Sequence, residues 1–275
     1  MKLRLLGIAI ALAAVACGGN TAGPGVVPAS AETLTAAQLD SLWAGVSDAY
    51  QRRKWDDAIA RIERFLLEAP ATDPRRVEAH MMMGESHFGK KNRLDAAREF
   101  RKVSDETPTH PLAPGALLRV GDAYSELWRR PELDPTYGQS ALSTYQELVS
   151  RYPDSDAAKQ ALTRIADIND KLAAKAFKSA RYYLRLRAYD SAIIYLRDLL
   201  ASYPRSQVAP TALVALIGAY RSLGYLEDVR ETCDYLRRFH PQASGAERAC
   251  PAGLAPADTV APAPRDTLPP PPPQR

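Results

Sequence analysis

The chain has 275 residues, with 36 Lys and Arg against 32 Asp and Glu and a formal net charge of +4. So even a balance argues against a nucleic-acid partner and against a membrane surface gripped by basic side chains alone. Whatever this protein contacts, bulk charge is not what recruits it.

The first elements lie at the N-terminus. Lys2 and Arg4 precede an apolar stretch, Leu5 to Ala16, and small residues lead into Cys17. Twelve residues rise only about 18 Å as a helix, too short for roughly 30 Å of hydrocarbon. The segment reads as a secretory signal over 1–16 rather than a membrane span. Its end, Ala14-Val15-Ala16-Cys17, looks like a bacterial lipobox with Ala where Leu is usual. Cys17 is then the lipidated mature N-terminus, and Gly18 leaves out the Asp that retains lipoproteins at the inner membrane. Losing Lys2 and Arg4 brings the charge from +4 to +2. Residues 17–33 read as a linker from the lipid to a domain.

From residue 34 the chain repeats itself. Prolines 70, 108, 153, 204 and 241 each close an amphipathic run. Twelve residues before each stands a small or branched residue: Ala58, Ala96, Ala141, Ala192 and Val229. Bulky partners follow it four and seven later, from Ile62/Phe65 and Phe100/Val103 through Tyr145/Leu148 and Leu196/Leu199 to Cys233/Leu236. A further helical run lies upstream of each, carrying Gly84, Gly121 or Ala180 with Tyr124, Tyr183 or Tyr220. Small residues let helices approach and large ones fill the seam. The spacing is similar to the tetratricopeptide repeat. The expected fold is all-α, a right-handed superhelix of about five helix pairs over 34–244.

Two intervals exceed the repeat. "ELWRRPELDPTY" (126–137) holds two prolines and reads as a loop between helices. Between Ser155 and Tyr203 there is no Gly or Pro, and apolar residues keep helical spacing. This predicts one long helix over about 155–186, with Ser155 as its cap; Ser206 is expected to cap the next. From Gly245 the chain turns to Ala, Pro, Asp and Thr and ends "DTLPPPPPQR", a composition that builds no core, so 245–275 is expected to be a disordered tail. Cys233 and Cys250 could pair in an oxidising periplasm. The repeat position of Cys233 instead predicts an unpaired core residue.

No phosphate-cradling glycine loop, nucleophile elbow or Cys-x-x-Cys is present. His80 and His87 share a helix face about 10 Å apart, too far for one zinc. No metal, cofactor or catalytic residue is expected, and the covalent lipid on Cys17 is the one attached group. Repeat stacks bind instead, through the first helix of each unit. Counting back from the small anchors, unit 1 presents Trp43, Ser47 and Tyr50. Unit 2 presents Met81, Met82, Glu85 and Phe88, and unit 3 Leu118, Arg119 and Asp122. Such aromatic and methionine surfaces suit extended peptides; the alternative is that Trp43 and Met81–Met83 are buried between units. Unit 4 presents Phe177, Lys178, Arg181 and Arg185, a basic ridge suited to an acidic protein partner or simply solvated.

The lipobox, "AYQRRKWDDAIARIERFLLEAP", the "PTHP" at 108–111, the two Tyr-Pro-x-Ser joints and the long helix together resemble the BamD family, tetratricopeptide lipoproteins of the β-barrel assembly machinery. The resemblance covers about 36–243. It departs at 126–137, at the lipobox and beyond 244. It implies a non-enzymatic scaffold anchored on the periplasmic face of the outer membrane. It further implies that N-terminal repeats receive unfolded outer-membrane proteins, while C-terminal repeats dock a BamA-like insertase alongside other lipoproteins of the machinery. The alternative is a periplasmic repeat lipoprotein coordinating Tol–Pal or peptidoglycan assembly.

Overall fold

A computed structural model describes residues 34–250. The signal, Cys17, the linker and the Pro-rich segment beyond Cys250 lie outside the described residues. Those described form eleven helices and no strand: α1 (Ala36–Gln51), α2 (Trp55–Glu68), α3 (Arg75–Gly89), α4 (Arg93–Glu106), α5 (Ala113–Leu127), α6 (Thr136–Arg151), α7 (Asp156–Arg185), α8 (Tyr189–Ser202), α9 (Ala209–Leu223), α10 (Leu226–Phe239) and α11 (Ala246–Ala249). Each packs on the next, and α7 additionally touches α5 and α9. This is the all-α repeat stack that the spacing predicts.

The seam between helices follows from the small-and-bulky ladder. Ala58, Ala96, Ala141, Ala192 and Val229 are all buried, as are their ten bulky partners. Inside two of the helix pairs, α3–α4 and α5–α6, close approach is obligatory. A methyl group at Gly84 would lie 2.5 Å from the Phe100 ring, and one at Gly121 would lie 2.3 Å from Tyr145. Four apolar clusters result, centred in chain order on Phe65, Phe100, Tyr145 and Leu213.

The turns inside the helix pairs share one device. Arg53, Lys91, Arg187 and Gly224 all adopt positive φ, between 55° and 75°. In each, the next residue's N–H reaches the carbonyl five back: Lys54 to Ala49, Asn92 to His87, Ala188 to Tyr183 and Tyr225 to Tyr220. This is the Schellman closure of a helix, which needs one left-handed residue. Only the pair α5–α6 lacks it, because the insertion stands there. That insertion is not a mere surface loop. Trp128, its first residue after α5, is fully buried and packs its ring against Gly138.

The long helix is present as α7, 30 residues and about 45 Å. Ser155 caps it, its hydroxyl accepting from the Ala158 N–H at 3.1 Å. The N-terminal half of α7 packs on α5 and α6, and its C-terminal half pairs with α8. One helix thus serves two consecutive repeats.

Three expectations need correction. Ser206 caps nothing: α9 starts at Ala209, and the Ser206 hydroxyl is buried without a hydrogen-bond partner. Cys233 is a core residue but not an unpaired one, since it forms a disulfide with Cys250, with Cα atoms 5.6 Å apart. The packed chain consequently runs past 244. α11 folds back on α9 and α10, Ala246 and Cys250 are buried, and Arg237 Nη2 donates to the Cys250 carbonyl at 2.8 Å.

Candidate functional site

Four of the residues expected to form a peptide groove, Glu85, Phe88, Arg119 and Asp122, come together in one cleft. Arg119 on α5 makes a two-pronged bond to Glu85 on α3, Nε to Oε1 and Nη2 to Oε2, both at 2.7 Å. The planar guanidinium fork matches a carboxylate in this geometry, which is what Lys could not do. Asp122, one turn along α5, accepts from the Tyr145 hydroxyl at 2.8 Å and from Arg164 Nε at 3.3 Å. Arg164 belongs to α7, so Asp122 ties three helices together. Burial alone would lower the Arg119 pKa, but Glu85 and then Asp122 outweigh it and hold the guanidinium above its ordinary value. Burial, with the Asp122 carboxylate next, pushes the Tyr145 hydroxyl far up, so it stays a donor.

Phe88 does not offer an open ring. The guanidinium carbons of Arg93 and Arg119 lie 3.8 and 4.0 Å from its centroid. Two cations that close to one ring must take opposite faces. Arg93 also donates to Glu126, Nε to Oε2 at 2.7 Å. The cleft of about 310 Å³ is walled by Phe88, Arg119, Asp122, Ser125 and Glu126 on one side and by Arg164, Asp167, Ile168 and Lys171 of α7 on the other. Charged side chains of both signs dominate it, with Phe88 and Ile168 as its apolar members. Tyr50 stands near it: burial first, then the Glu85 carboxylate, raise its hydroxyl pKa.

The remaining groove candidates pack elsewhere. Trp43 is half-buried against Phe65, rings 5.0 Å apart, in the first cluster, and Met82 joins it there. Met81 packs on the second cluster beside Phe88. Leu118 is buried in the third. His80 bonds to Glu99, Nδ1 to Oε2 at 2.8 Å, and so is committed to structure.

The basic ridge is also divided. Phe177 turns inward and packs on the last cluster. Arg181 remains exposed, whereas Lys178 and Arg185 line a second groove of about 390 Å³ with Glu132, Lys175, Ser179, Tyr182, Tyr183 and Tyr195. The insertion supplies one wall: Lys175 Nζ donates to the carbonyls of Glu132 and Leu133 at 3.2 and 2.8 Å, and Lys178 pairs with Glu132 at 3.7 Å. Sequence reasoning missed Arg164, Asp167 and Lys171, and it missed the tyrosines. The signal for the former was present, because residues 164, 167 and 171 repeat every three or four along a helix predicted to be continuous.

Comparison with known proteins places this geometry in a lineage. The family model YfiO, described as an outer membrane lipoprotein, matches residues 29–235. The chain is 25% identical over 259 residues to the outer membrane protein assembly factor BamD of Neisseria meningitidis serogroup A, covering 88% of this chain and 93% of that protein. It is 22% identical over 223 residues to BamD of Caulobacter vibrioides, covering 81% and 71% respectively. Among solved structures, the P58(IPK) TPR domain aligns with 14% identity and a TM-score of 0.41, over 78% of this chain and 54% of that one. The TPR protein TTC0263 of Thermus thermophilus aligns with 20% identity and a TM-score of 0.34, over 77% and 96%.

Proposed function

We propose that this chain, which belongs to the YfiO family of outer membrane lipoproteins, works in outer-membrane protein assembly as a non-enzymatic scaffold. The match over 29–235 carries the reading, because it spans nearly all of the repeat stack, and relatives named as BamD assembly factors align along most of their own length. In this reading Cys17 holds the protein to the periplasmic face of the outer membrane by its lipid. No helix among the described residues is long and apolar enough to cross a membrane itself. Clients are unfolded outer-membrane proteins, received at the cleft between α3, α5 and α7. The partner docked by the C-terminal repeats is a BamA-like insertase, accompanied by other lipoproteins of the machinery.

The chemistry of the cleft supports a receiving role. Its carboxylates and guanidiniums are paired with each other at modest cost, since Glu85 and Arg119 side chains remain about a quarter exposed. A peptide strand with polar backbone edges can exchange these pairings one for one, so binding stays weak and reversible. That is what a carrier needs and what an enzyme's rigid, desolvated site is not.

The test is a pull-down from detergent-solubilised outer membranes with the tagged native chain and its Cys17→Ser variant. The native chain should recover the insertase, and the variant should leave the membrane fraction for the soluble one. A well-solubilised native bait that brings down no insertase overturns the docking role. A variant that stays membrane-bound overturns the anchor.

A further inference from the structure

The groove between α7 and α8 has features the scaffold role does not use. Tyr183 and Tyr195 stack with centroids 4.9 Å apart, and Tyr182 meets Tyr183 edge-on at 5.5 Å. Tyr182 is 52% exposed and Leu186, one turn further along the same face, 59%. Ile194, beside Tyr195 on α8, is exposed as well, so the open tyrosines belong to a contiguous apolar patch rather than to a lone surface residue. Rings at right angles form a corner whose walls are flat and apolar and whose rim carries hydroxyls. Such corners favour proline: the pyrrolidine ring lies flat on an aromatic face, and proline brings no N–H that needs a partner.

This chain carries its own occupant. Pro269–Pro273 is an unbroken run of five prolines, preceded by Asp266 and Leu268. Five residues of polyproline II extend about 16 Å. The stripe from Lys175 to Leu186 on α7 covers about 16 Å of helix axis. On the rim, Lys178 is paired with Glu132, whereas Arg185 has no ion pair among the described residues; the chain beyond Cys250 carries an acid, Asp266, next to Arg265 and three residues before the prolines.

The point of departure is also set. The Cys233–Cys250 disulfide clamps the end of the packed chain to α10. From there α9, which touches both α11 and α7, lies between it and α7, so the distance to cross is at most about two helix spacings of roughly 10 Å each. The 18 residues from Pro251 to Leu268 span about 23 Å as a random coil and up to roughly 56 Å when extended. The prolines can therefore reach the groove of their own chain.

We propose that Pro269–Pro273 seats in the tyrosine groove of α7 and α8 within the same molecule, with Asp266 toward Arg185. The tail is then a built-in cover for this face of the C-terminal repeats, and a partner using the face must displace it. The inference needs neither client nor insertase, so it stands or falls apart from the scaffold role.

The experiment is tyrosine nitration of the full-length, detergent-solubilised protein, mapped by mass spectrometry. Tyr225, exposed on the turn before α10, is the internal reference. The comparison chain carries Pro269→Ala through Pro273→Ala, substitutions outside the packed body. Nitration of Tyr182 relative to Tyr225 should be slower in the native chain by about threefold or more, as a weak site facing a millimolar effective concentration of its tethered segment would give. Arg185→Ala should reduce that protection with the proline run intact. Equal ratios in the native and alanine-run chains overturn the proposal. Protection that disappears on tenfold dilution assigns the groove to the tail of a second copy and overturns the intramolecular form.

Discussion

The chain writes one joint twice, Tyr152-Pro153-Asp154-Ser155 and Tyr203-Pro204-Arg205-Ser206, and the two copies fold differently. Both make the same tight turn: the serine N–H reaches the tyrosine carbonyl, and the residue three further on reaches the serine carbonyl. After the first, α7 begins at once, at Asp156; after the second, α9 waits until Ala209. The difference is four residues past the serine. Lys159 donates its N–H to the Ser155 carbonyl, whereas Pro210 has no N–H and its ring would collide with the Ser206 carbonyl. The joint at Pro108 repeats the second pattern, with Pro114 in the first turn of α5. A proline at this position, rather than the serine, decides whether the next helix starts right after the joint or at the third residue past it.

Three substitutions sharpen or break that comparison. Lys159→Pro should convert the first joint to the second type, by removing the Ser155 bond and forcing α7 to start later. The expected loss is about 3 kcal/mol, read from equilibrium urea unfolding. A loss below about 1 kcal/mol would mean that the start of α7 is held by its packing on α6 instead. Ser155→Ala removes a working cap, and about 1 kcal/mol should follow in the same titration. Ser206→Ala should be the smallest change, within about 0.5 kcal/mol and in the stabilising direction, because it removes a buried hydroxyl that has no partner. If Ser206→Ala costs as much as Ser155→Ala, the two serines do the same work and the comparison fails.

Most of the fold was legible because its rules are short-range. Small residues twelve before each proline, bulky ones four and seven later, and a stretch without Gly or Pro are all statements about one helix and its immediate neighbour. They located the end of the second helix of each pair, and both ends of α7, to within a residue or two. The cap at Ser206 was misread because the pattern was matched at the serine and not at Pro210, which was equally visible. The tail boundary was misread because "SGAERAC" is weak by composition, and α11 persists through the disulfide and the carbonyls held by Arg221 and Arg237.

The candidate site was legible only in part. Repeat counting found Glu85, Phe88, Arg119 and Asp122, which do meet. It could not tell that Phe88 would be covered on both faces, because Arg93 reaches it from the start of the following helix. It placed Phe177 with Lys178 and Arg181 on one ridge. A helix serving two repeats has core on more than one side, and Phe177 falls on the side facing α8 and α9.

The amino-acid order by itself determined the periodicity, the length of α7 and where the second helix of each pair stops, since these depend on steric and hydrogen-bonding rules acting within a few residues. Only the tertiary structure decided which charges are spent on each other and which surfaces stay open. Arg119 meets a carboxylate 34 residues away, Trp128 leaves its loop for the core, and Tyr183 stacks on Tyr195 from the next helix. Each of those depends on the angle and offset between packed helices, which the whole stack sets and no single segment encodes.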